Sequence, residues 1–113
     1  MTKTTVQINK ADAWVDTMPV QPTPGGTLHV SLEVLFKGQD EHRYASLKKR
    51  IPQGINHAIL ILDIVFGNIE IYMPSSRHLQ YAEGLQQSSE FTSIEIYFDG
   101  KPEKTITNIP IIK

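Results

Sequence analysis

The sequence predicts an all-β protein, an antiparallel β-sandwich of about seven strands, and three observations carry that prediction. Several short segments alternate apolar and polar residues with a period of two, the pattern of strands with one solvated face. Gly, Pro, Asn and Asp punctuate them at short intervals, as turns require. No set of helical repeats covers the faces of a parallel sheet, so an α/β fold is disfavoured. With 113 residues, 40% hydrophobic and 20% charged, the chain fits one domain over 1–113 and lies outside the composition of disordered chains.

The first element runs from Thr5 to Met18. Val6 and Ile8 share a face, after which Ala11, Ala13 and Val15 alternate with Asp12, Trp14 and Asp16. That change of phase predicts a bulge or a switch between sheets. Trp14, the only tryptophan, is expected to plug the core, since its apolar area favours burial once its N–H has an acceptor. Pro19 to Gly26 (PVQPTPGG) holds three prolines and two glycines in eight residues and is a loop. Its PxxP spacing is a weak docking motif beside the simpler reading of a stiff connection.

Thr27 to Lys37 is the clearest strand, with Leu28, Val30, Leu32, Val34 and Phe36 on one face and Thr27, His29, Ser31, Glu33 and Lys37 on the other. After a polar turn, Tyr44 to Ile51 returns with Ala45, Leu47 and Ile51 inward, ending at Pro52 to Gly54. Ala58 to Asn68 (AILILDIVFGN) is the central strand: Ala58 to Phe66 has eight apolar residues in nine, broken by Asp63. Gly67 and Asn68 form a short-hairpin signal, so Ile69 to Met73 is expected as its antiparallel neighbour.

Pro74 to Ser89 is open between a crossover loop and one short helix near 76–85 carrying Leu79, Ala82 and Leu85 inward. Glu90 to Phe98 is a strand, Asp99 and Gly100 a turn, and Lys104 to Ile112 a last strand that Pro110 marks as edge or bulged. Seven such strands suit an immunoglobulin-like sandwich by analogy of fold alone. The cysteine pair is missing and the tryptophan lies in the first strand.

Composition removes several functions. A formal net charge of −1 and one short basic run, Lys48 to Arg50, disfavour nucleic acid as a partner. The absence of cysteine excludes disulfides, thiolate metal sites and cysteine nucleophiles. It leaves the compartment open, with the cytoplasm slightly favoured. MTKTTVQINK lacks the apolar stretch of a signal peptide, and no apolar run approaches the roughly 20 residues of a membrane helix, so no membrane span is expected. There is no GxSxG, no HExxH and no Gly-rich phosphate loop, so no catalytic residue and no cofactor is assigned. His29, His42, His57 and His78 lack ligand spacing, and no metal is assigned.

Asp63 is the most pointed residue. One face of its strand carries Ala58, Leu60, Leu62, Ile64 and Phe66, the other Ile59, Ile61 and Val65 beside Asp63. A partner sheet covers one face, while a carboxylate stripped of water and left unpaired costs several kcal/mol. Either Asp63 is held by Lys48, Arg50, a backbone N–H or a tyrosine under a covering segment, or Ile59, Ile61, Asp63 and Val65 form an association surface. Ile109, Ile111 and Ile112 at the C-terminal end need cover as well.

The expectation is therefore a non-catalytic interaction domain, a two-fold homodimer through a sheet face or edge, with an unidentified protein as another possible partner. The rival is a carbohydrate or small-ligand module using a tyrosine-bearing sheet face, with His29, Glu33, Tyr72 and Tyr97 as its candidates.

Overall fold

Alternation of side chains becomes eight strands in the computed structural model, which describes residues 3–113. Met1 and Thr2, where the predicted domain and the leader reading begin, lie outside the described residues. The strands are β1 (Thr5–Asp16), β2 (Thr27–Lys37), β3 (Ala45–Lys49), β4 (Ile59–Phe66), β5 (Ser76–Gly84), β6 (Ser93–Phe98), β7 (Lys101–Ile106) and β8 (Ile111–Ile112). They form two four-stranded sheets, ordered β5-β2-β1-β8 and β3-β4-β6-β7, that pack face to face as a sandwich. Among the described residues there is no helix, and so none long and apolar enough to cross a membrane.

The inner faces are those the alternation marks. Leu28, Val30, Leu32, Val34 and Phe36 of β2 meet Leu60, Leu62 and Ile64 of β4 and Ile94, Ile96 and Phe98 of β6 in one core. Phe36, Phe66 and Phe98 cluster with ring centroids 5.6 to 6.0 Å apart. The phase change in β1 is a bulge, its register against β2 slipping between Ile8 and Lys10. Asp99 and Gly100, both at positive φ, turn β6 into β7 with two residues, as the Asp-Gly pair requires.

Several expectations are corrected. The sheets are mixed, because β4 pairs parallel with β6 and β1 parallel with β8. Ile69 to Met73 forms no strand: both edges of β4 are taken, by β3 and β6, so the Gly67-Asn68 turn leads into an end loop. The helix considered near 76–85 is β5, nine residues antiparallel to β2. Backbone groups along β2 need a second partner, and that demand overrides the helical spacing of Leu79, Ala82 and Leu85.

The last strand is two. β7 stays in the second sheet, and the chain crosses at Thr107 to Pro110 to the first, where the Pro110 carbonyl accepts the Val15 N–H at 2.8 Å. Ile51 lies past the end of β3, 90% exposed instead of inward. Trp14 is no core plug: it stands on the outer face of the first sheet, stacked on His29 with centroids 5.4 Å apart.

Candidate functional site

On the outer face of the second sheet Asp63 has a partner in its own chain. Arg50, just beyond β3, donates from Nη2 to Oδ1 at 2.7 Å and from Nε to Oδ2 at 3.0 Å. Its guanidinium lies over the Tyr97 ring, 4.4 Å from the centroid. The hydrogen bond to Asp63 holds the Arg50 pKa above its ordinary value. Lys48 stands opposite Asp63 in the ladder, yet the planar fork of Arg50 fits the carboxylate in a way that an ammonium does not.

Ile59, Ile61 and Val65 flank this pair and are each half-buried. Ile61 is clasped as well, because the Gln53 side-chain amide bonds both its N–H and its C=O at 2.8 Å. The second outer face is thus partly covered by the segment from Arg50 to Gly54.

The four ligand candidates do not converge. His29 and Glu33 lie on the outer face of the first sheet, Tyr97 on the opposite outer face, and Tyr72 in the end loop, stacked on His42 with centroids 4.4 Å apart. Ile109 packs half-buried against the core, while Ile111 and Ile112 of β8 are about two-fifths exposed. Among the described residues no three His, Asp or Glu side chains gather as a metal site would need.

What sequence reasoning missed is the edge of β5. Leu85 N–H bonds the Gly26 carbonyl and the Ser75 carbonyl accepts from Phe36, so odd-numbered residues turn their backbone groups toward β2. Alternation then points the N–H and C=O of Ser76, His78, Gln80 and Ala82 outward, with no further strand beside them among the described residues. No proline or lysine interrupts the nine residues SRHLQYAEG. The other edges are guarded: β7 by Lys101, Pro102, Glu103 and Lys104, β3 by five-residue length and two lysines, β8 by having two residues.

Charge on β5 is arranged evenly about Gln80. Arg77 and Glu83 lie three residues either side, with Leu79 and Tyr81 between them. Arg77 lies 4.6 Å from the centroid of the Phe36 ring and donates to the Glu41 and Arg43 carbonyls. Among the described residues it has no carboxylate within ion-pair distance, and its buried Nε is unpartnered. Loss of water lowers its pKa. Glu83 accepts from Lys49 at 3.0 Å and from the Tyr81 hydroxyl at 2.6 Å.

The signal for this edge was present in the sequence as the alternation Arg77, Leu79, Tyr81, Glu83 against His78, Gln80, Ala82. The rival helical spacing masked it. Comparison of the chain with protein-family models, curated proteins and solved structures gives no significant match.

Proposed function

We propose that the protein is a non-catalytic interaction domain that pairs with a second copy of itself through the open edge of β5. The observation that carries this reading is a nine-residue edge strand without the proline, the lysines or the short length that guard the other three, its two charges, Arg77 and Glu83, being of opposite sign and symmetric about Gln80. A two-fold axis at Gln80 sets two β5 strands antiparallel, with Gln80 opposite Gln80 and their outward N–H and C=O groups exchanged. Arg77 then faces Glu83 of the second copy, and Leu79 faces Tyr81. Opposite charges and apolar pairs directly across a ladder contribute roughly 0.2 to 1 kcal/mol each.

The edge is favoured over the Ile59, Ile61 and Val65 face because that face already has Arg50 and Gln53 against it. Sedimentation velocity at micromolar concentration tests the reading. A dimer is expected, and Gln80→Lys, which sets two ammonium groups face to face at the axis, gives a folded monomer. Gln80→Pro does the same by removing an outward N–H. A monomeric parent overturns the proposal. Dissociation by Ile61→Lys but not by Gln80→Lys moves the interface to the outer face of β4.

A further inference from the structure

The outer face of the first sheet is a grid fixed by register. One row across β1, β2 and β5 reads Trp14, His29, Ala82, the next Asp12, Ser31, Gln80, and the third Lys10, Glu33, His78. In the first row Trp14 and His29 are two stacked rings, 21° from parallel, and Ala82 ends the row with a methyl group. A ring or long chain at 82 would continue the row. Its absence leaves a depression of about 260 Å³ lined by Trp14, His29, Ser31, Gln80, Tyr81 and Ala82.

Aromatic walls and neutral polar groups meet there. Ser31 Oγ lies 2.9 Å from His78 Nε2, and the Gln80 side chain forms part of the lining. Lys10 and Asp12, the nearest opposite charges on β1, lie 3.9 Å apart and offset one another. The depression thus offers a ring face, hydrogen-bond donors and acceptors, and no Lys, Arg, Asp or Glu in its lining, with Glu33 in the row beyond Ser31. Its volume is just under the range of roughly 300 to 1,000 Å³ that holds drug-sized ligands, which suits one ring and excludes a long chain.

We infer that this depression is a saccharide subsite that takes one neutral pyranose residue of a glycan. A pyranose has a face of C–H groups and a rim of hydroxyls. The C–H face lies on the side of the His29 ring away from Trp14, above Ala82, while the hydroxyls reach Gln80, Ser31 and His78. A nucleotide or other anion finds no lysine or arginine in the lining, and a purely apolar ligand would cover the Gln80 side chain without offering it a hydrogen bond. All the lining residues belong to one protomer, but Gln80 and Ala82 are on β5, so the depression borders the proposed pairing edge and the mass of Ala82→Leu is checked by sedimentation beside its binding.

Trp14 is the only tryptophan, which makes its fluorescence a direct reporter. The full chain is titrated with cellohexaose, xylohexaose, mannohexaose and chitohexaose, with ATP and hexanoate as controls, and the amide resonances of His29, Ser31, Gln80 and Ala82 are followed in parallel. A saturable change in Trp14 emission with at least one glycan is expected, together with shifts at those amides. Ala82→Leu fills the depression and abolishes binding with the fold retained, and His29→Ala weakens it about tenfold. No response to any glycan at about 10 mM, weaker than the millimolar affinity of the least demanding sites, overturns the inference. Binding that survives Ala82→Leu, or a response to ATP or hexanoate alone, does so too.

Discussion

β5 and β7 are the outer strands of opposite sheets, and they meet solvent in contrasting ways. β7 opens with Lys101, Pro102, Glu103 and Lys104, all exposed, and its register against β6 slips at Ile96 and Tyr97. Pro102 has no N–H to offer, the charges resist a neighbouring strand, and the bulge twists the edge away. β5 has nine regular residues, unbroken register and Gln80 at its middle. Both strands are anchored inward, β5 by Leu79 and β7 by Ile106. The contrast therefore lies in what each edge shows to another chain.

The largest expected effect comes from removing the guards. Lys101→Thr, Pro102→Val and Lys104→Thr together should make β7 a second open edge, and light scattering should then find concentration-dependent species larger than the parent. An unchanged mass would mean that β7 is blocked by its twist alone. Next comes the inward anchor. Leu79→Ala should cost about 3 kcal/mol in urea unfolding, as buried leucine truncations do, and Ile106→Val about 1 kcal/mol. Equal losses would show that β5 and β7 are held to the core by other contacts.

A smaller effect is confined to high pH. Burial, and then the hydrogen bond to the Glu83 carboxylate, push the Tyr81 hydroxyl well above its ordinary value of 10.0. The folded state keeps this proton where the unfolded chain gives it up. Its contribution to stability is complete below the unfolded value and is lost as pH rises toward the raised one. Tyr81→Phe should flatten the alkaline limb of stability against pH, leaving the neutral range nearly unchanged.

The smallest effect belongs to the turn before β7. Asp99, hydrogen-bonded to Lys3 at 2.7 Å, has its pKa lowered first by that bond and then by the Lys3 charge. The sign is opposite to that of Tyr81: the contribution is present above the ordinary carboxylate value and is lost as pH falls through the lowered one. Because Asp99 is at the surface, Asp99→Asn should remove only a slight acid dependence. Asn also tolerates its φ of 53°.

The faces of β2, β4 and β6 were legible in the sequence because alternation is a local property, and each apolar set found a sheet to cover it. Asp63 was legible as a residue in need of a partner, and Arg50 was among the partners considered. Trp14 misled, because its size suggests a core position while its phase within β1 places it opposite Ala13 and Val15. Its stack on His29 depends on the antiparallel register of β1 and β2. β5 misled for a different reason: Leu79, Ala82 and Leu85 share a helical face as readily as Leu79 and Tyr81 share a strand face.

By itself, then, the sequence determined the all-β character, the inward faces of β2, β4 and β6, a change of phase in β1 and the Asp99-Gly100 turn, since each is decided by neighbours along the chain. The tertiary structure alone decided the parallel pairing of β4 with β6, the division of the last segment between two sheets, and the place of β5 at the edge of its sheet. Those depend on which backbone hydrogen-bonding groups are still free once the longest strands have paired, and that is a property of the assembled sheets.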